Sequence, residues 1–149
     1  LVGSEMCIRD SPTTTAQAAY LDDRNPNLGA IYENFAAQEL TAQRIPLYYY
    51  MSKKKSEVDF IADTQDDSVM PIEVKSGRSY MTHAAIDALL ANPEYQLKQG
   101  IVVSRSNVLL QGNVLNLPLY ALWCLADVAG LVAEDDEPDQ PFTMLTQTV

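Results

Sequence analysis

The sequence predicts an α/β fold with a mixed central sheet flanked by helices, and three observations support it. Short stretches such as EVDFIAD, MPIEVKSG and GIVVS show either period-two alternation or continuous apolar character, the patterns of strands. Longer stretches with apolar residues three and four apart lie before, between and after them, the pattern of helices. Clusters of Gly, Pro, Asn and Asp punctuate the series, which therefore runs helix, three strands, helix, one or more strands, helix.

The first helix opens at Gly29 in GAIYENFAAQELTAQRI, where Ile31, Phe35, Ala36 and Leu40 share one face, and it stops before Pro46. PLYYYMS is short and aromatic and reads as a strand. Alternation turns at least one of Tyr48, Tyr49 and Tyr50 inward, so packing accounts for these rings better than base stacking does. The basic turn KKKS leads into the strand EVDFIAD, and TQDDS separates that from MPIEVKSG, completing a meander. From Ser79, SYMTHAAIDALLAN places Met81, Ala85, Ile86, Leu89 and Leu90 on one side of a helix that ends at Asn92 and Pro93. GIVVS is a buried strand, and VLLQGNVLNL a hairpin turning at QGN. Pro118 suits the first turn of a last helix, LYALWCLADVAGLV, and Asp127 interrupts that run before it reaches membrane-spanning length, so it reads as a core helix. The tail from Glu134 is acidic and reads as disordered. There is no internal repeat.

The hydrophobic share of 47% and charged share of 20% are those of a soluble globular chain with enough residues for one sizeable core. A net charge of −10, from 20 acids and 10 bases, argues against strong non-specific binding to nucleic acid, which rests on Lys and Arg neutralising phosphates. Many of the acids crowd into the tail EDDEPD, so a local basic patch remains open: Lys53, Lys54 and Lys55, with Arg78 as a further candidate contact. The opening LVGSEMCIRD has no helical or strand period and no continuous apolar run of the kind a secretory signal needs. It resembles, codon by codon, the translation of the adapter used in transposase-based sequencing libraries. The expected organisation is accordingly an adapter-derived scar at 1–11, a polar lead-in at 12–28, the domain at 29–132 and an acidic tail at 133–149. Without Cys7 a single thiol remains, Cys124, which cannot form an internal bridge and favours a reducing, cytoplasmic setting. Its apolar neighbours make it a packed thiol rather than a nucleophile. His83 has no Cys or His partner at metal-ligand spacing and is expected to cap or flank its helix.

Chemistry concentrates on two strands. In PIEVK, Ile72 and Val74 point one way and Glu73 and Lys75 the other; in EVDFIAD the same alternation separates Val58 and Phe60 from Asp59. Pairing the two strands with their apolar sets on one face brings Asp59, Glu73 and Lys75 together on the opposite face. Two carboxylates suit a hard divalent cation such as Mg²⁺, which polarises a phosphoryl group and lowers the pKa of a bound water. Lys75 would orient that water or neutralise transition-state charge, and Glu33 on the first helix would serve as a third ligand or outer acceptor. The same residues also fit an amphipathic hairpin with a surface Glu73–Lys75 pair worth roughly 0 to 1 kcal/mol.

Asp59, a fourteen-residue step and then Glu73-Val74-Lys75 resemble the PD-(D/E)XK motif of restriction-endonuclease-like nucleases, with Val58 in place of the motif's Pro. GAIYENFAAQEL, LYYYMSKKKSEVDFIAD, MPIEVKSG and NLPLYAL are similar, in order and spacing, to the C-terminal domain of a large group of prokaryotic AAA-type ATPases, catalogued as domain of unknown function 4143. The resemblance runs from about Gly29 to Leu125. It implies a restriction-endonuclease-like core, an ATPase domain on the N-terminal side as partner, and DNA as the candidate substrate of a Mg²⁺-dependent nuclease. The alternative is a non-catalytic module that binds nucleic acid or protein for the ATPase. No Gly-x-x-x-x-Gly-Lys-Ser/Thr loop occurs, so an ATP site is not expected in this chain.

Overall fold

Helix α1 (Leu28–Ala42) lays its narrow side on the sheet, with Ala36, Ala37 and Leu40 buried, because two alanines let the backbone come close before Leu40 fills the space beyond. Ala, Leu, Glu and Gln, all good helix formers, make up most of its length. It ends where Arg44 takes a positive φ of 60° and the Ile45 N–H returns to the Leu40 carbonyl at 3.0 Å. The computed structural model describes residues 28–51, 57–77 and 81–134, apart from the side chains of Tyr49, Met51 and Glu57. The adapter-like opening, the lead-in before Leu28, Lys53 to Lys55, Arg78 and the tail beyond Glu134 lie outside the described residues. No helix among the described residues is long and apolar enough to cross a membrane.

Six strands form one mixed sheet in the order β1-β2-β3-β4-β6-β5. The meander β1 (Tyr48–Met51), β2 (Glu57–Asp63) and β3 (Val69–Val74) is antiparallel. Helix α2 (Ala84–Leu90) then carries the chain across to β4 (Gly100–Ser104), parallel to β3. The hairpin of β5 (Leu109–Gln111) and β6 (Val114–Pro118) turns at Gly112, whose φ of 58° suits a residue without Cβ, and places β6 parallel to β4. A 3₁₀ segment (Leu119–Cys124) and α3 (Leu125–Ala129) return over the face that α1 covers, where Gln43 Nε2 donates to the Leu122 carbonyl at 2.9 Å.

Both faces of the sheet are buried. On one, Phe60, Ala62, Ile72, Val74, Ile101, Val103 and Leu117 pack with α1 and the C-terminal helical segment. On the other, Val58, Ile61, Val102 and Val114 pack with Ile86 and Leu89 of α2. This corrects the simple alternation expected of EVDFIAD, since Val58 and Phe60 belong to opposite faces. The cause is a bulge: Tyr48 pairs with Ile61 and Tyr50 with Val58, so two steps on β1 face three on β2. The extra residue puts Val58 and Ile61 on the same side.

Two helices also depart from expectation. The second begins at Ala84 rather than Ser79, because His83 holds a non-helical φ of −131° and turns its ring back to Asp87. The last is split into 3₁₀ and α pieces and is only half a core element: Leu122 and Leu125 are buried, whereas Tyr120 and Trp123 are 75% and 71% exposed. Pro118 closes β6 in an extended conformation instead of entering the helix. Beyond the last helix, the Glu134 N–H donates to the Arg44 carbonyl at 2.8 Å.

Gly100 lets α2 seat on the sheet. A methyl group there would stand 2.5 Å from Ile86 Cγ2, and a β-branched side chain has little rotameric freedom to move aside. Gly100→Ala should therefore lower the unfolding free energy by about 1 to 3 kcal/mol, seen as a lower urea midpoint with an unchanged slope.

Candidate active site

Strands β2 and β3 pair from Asp63↔Val69 as far as Phe60↔Ile72, and there the ladder stops. One residue further, the Asp59 carboxylate does what a backbone carbonyl would have done, its Oδ2 accepting the Val74 N–H at 2.6 Å. On the other side of β3, the Lys75 N–H donates to the Val103 carbonyl at 2.8 Å. The end of β3 is thus held by β4 and by a side chain from β2. The bulge lies at this point in β2, between Val58 on one face and Phe60 on the other.

Around that gap stand three more charged groups. Glu73, buried on the α2 side, forms an ion pair through Oε1 with Lys75 Nζ, and its Oε2 is buried with no hydrogen-bond partner. Glu33, reaching from α1, acts on Asp59 through its charge. The four residues expected from the sequence are therefore gathered, not on one solvent-facing side of a hairpin but at the opened end of two strands. Lys53, Lys54, Lys55 and Arg78 lie outside the described residues. Tyr48 and Tyr50 pack on the α2 side, with the Tyr50 ring edge-on to Tyr95 at 6.2 Å. Cys124 Sγ donates to the Ala121 carbonyl at 3.1 Å. A cavity of about 260 Å³, lined by Thr64, Ser68, Lys98 and Gly130, lies at the opposite, turn-bearing end of β2 and β3.

Burial is the main reason that the Asp59 carboxyl is pushed up from its ordinary value of 3.8 to about 6; the charges of Glu33 and Glu73 add to this, while the Val74 N–H and Lys75 oppose it. At neutral pH the group is mostly ionised and partly desolvated, and so favours a cation. Among the described residues no group of three or more His, Cys, Asp or Glu side chains is arranged to hold a metal ion. Asp59 and Glu73 nevertheless supply two carboxylates, and Mg²⁺ commonly takes one or two, completing its shell with water and substrate phosphate. Glu73 Oε2, buried and unpartnered, has both lone pairs free, enough to accept from a water and to face such an ion as well.

His83 stands at the N-cap of α2, as the sequence led us to expect, with its ring buried, whereas sequence reasoning missed the buried Asn116 on β6. Asn116 had a readable signal: it lies two residues from Val114 in an apolar strand, hence on the same covered face.

The raised pKa makes a prediction for stability. The unfolded chain loses the Asp59 proton near 3.8 and the folded chain only near 6. Stability is therefore highest below the lower value and falls as pH rises through that window. Asp59→Asn removes the dependence, so its stability relative to the unsubstituted chain should improve by up to about 3 kcal/mol between about pH 3.5 and pH 7. Urea titrations across this range would measure the difference, and parallel curves would contradict the assignment.

No curated protein and no solved structure matches the chain. The profile of one family, the domain of unknown function DUF4143, matches residues 28–122. That span holds α1, all six strands and the four gathered residues, and the chain belongs to the DUF4143 family.

Proposed function

We propose that this chain is a restriction-endonuclease-like domain that hydrolyses DNA phosphodiesters with a divalent metal. The observation carrying this reading is the meeting of Asp59, Glu73 and Lys75 at the opened end of β2 and β3, with one Glu73 oxygen buried and unpartnered. Asp59 and Glu73 would hold Mg²⁺, with Glu33 as an outer acceptor. Bound there, the ion supplies Lewis-acid polarisation of the phosphoryl group and a more acidic water. Val74 fixes Asp59 by its N–H, and Lys75 both orients Glu73 and offers positive charge to the oxygens that become more negative in the transition state. Lys53 to Lys55 and Arg78 would contact the phosphate backbone. An AAA-type ATPase domain, in a cytoplasmic setting, is the proposed partner.

A second reading is favoured by the Glu73–Lys75 ion pair, which already occupies one of the ligand oxygens, and by the lack of a three-ligand group among the described residues. In it the domain binds nucleic acid or protein for the ATPase without cutting. Incubation with single- and double-stranded DNA and Mg²⁺ or Mn²⁺ separates the two. Cleavage that falls about 10²- to 10³-fold in Asp59→Ala and in Lys75→Ala is the expected result. Metal-independent binding without cleavage, with a salt slope that flattens when Lys53 to Lys55 are replaced, would establish the second reading instead.

A further inference from the structure

The face of the sheet under α2 holds three polar side chains more than nine-tenths buried: Glu73 at 8%, His83 at 6% and Asn116 at 0% relative exposure. Glu73, Val102 and Asn116 are in register across β3, β4 and β6, and Val102 packs under α2. As the crossover between parallel strands, α2 runs antiparallel to β3 and β4. Ile86 lies against Gly100 and Pro71, near the start of β4 and below Glu73 on β3. His83, the N-cap residue of α2, comes three residues earlier and so lies toward the end of the layer where Glu73, Val102 and Asn116 are in register.

Each of the three carries a buried atom with no hydrogen-bond partner: Glu73 Oε2, His83 Nε2 and Asn116 Oδ1. His83 Nδ1 and Asp87 Oδ1 are 2.9 Å apart; an ionised carboxylate only accepts, so Nδ1 carries the proton, and in the neutral ring Nε2 is the acceptor. With a neutral ring all three are acceptors; Val102, Val114, Ile86 and Leu89 carry no donor, and of the tyrosines packed against this layer Tyr50 and Tyr95 bond each other through their hydroxyls. Leaving a buried acceptor unsatisfied costs about 1 to 3 kcal/mol, and water is the small species that brings two donors to such a place.

We propose that His83 is a positioning residue for Glu73: the Asp87-oriented imidazole and Asn116 hold buried water against Glu73 Oε2, and this sets the carboxylate's orientation. The metal-binding role of Glu73 rests on the function proposed above; the water link does not. The charged groups on the strands packed against α2 are Glu57, Asp59 and Asp63 on β2 and Glu73 on β3, with its partner Lys75 just beyond, while β4 contributes none.

His83 is the only histidine in the chain, so ¹⁵N-histidine labelling of the whole protein reports one ring. The Nδ1–H tautomer should be the one observed, with the Nε2 resonance displaced as that of a hydrogen-bond acceptor. Glu73→Gln should move the Nε2 resonance, and Asp66→Asn should not. A neutral ring with its proton on Nε2, or a resonance unmoved by Glu73→Gln, would overturn the proposal. Mn²⁺ titration provides the functional arm: His83→Phe should weaken binding about tenfold and His83→Gln should restore most of it. Equal affinity in a folded His83→Phe protein would also overturn the positioning role. Failure of the unsubstituted protein to bind Mn²⁺ would remove the metal reading, and the spectrum of Glu73→Gln would then decide the water link by itself.

Discussion

A carboxylate stands in for a backbone carbonyl where β2 and β3 part, and the site depends on that substitution. A sheet that stayed closed through Asp59 and Glu73 would have spent the Val74 N–H on the ladder and left Asp59 to one face or the other. Because the strands part after Phe60↔Ile72, Val74 needs an acceptor and Asp59 Oδ2 provides it at 2.6 Å. The bond anchors the carboxylate while burial raises its proton affinity, so a group held for structural reasons is also one that resists being charged without a counterion.

The two cores support this arrangement from opposite sides. Under α1, Phe60, Ile72 and Val74 fix the backbone on one face; under α2, Val58, Ile61 and Val102 fix it on the other. Asp59 sits between residues belonging to different cores, which explains how Glu33 from one side and Glu73 from the other both act on it. Pulling the carboxylate out of the gap would require repacking both layers.

Much of the fold was legible in the sequence because its strands obey local rules. EVDFIAD and GIVVS form β2 and β4 over the residues expected, since alternation or a continuous apolar run bounded by polar residues is a short-range signal. The site residues could be named because acids and a lysine on apolar strands are conspicuous. Their geometry was not legible: the bulge exists only relative to β1, a partner whose register no single strand encodes. Similarly, SYMTHAAIDALLAN carries helical periodicity from end to end, but the contact of His83 with Asp87 delays the helix until Ala84. Trp123 and Tyr120 look like core in an apolar run, and the switch to 3₁₀ geometry turns them outward.

The bulge makes the site sensitive to a kind of change that leaves its chemistry intact on paper. Removing one codon within β2 would let the strand recover an even register with β1, swing Val58 and Phe60 onto a common face and rotate Asp59 away from Val74, with every acid and lysine still encoded. Among related chains, therefore, the mere presence of the aspartate and the Glu-x-Lys unit is a poor criterion of a working site. The better one is whether β1 and β2 still differ by one residue over the same stretch.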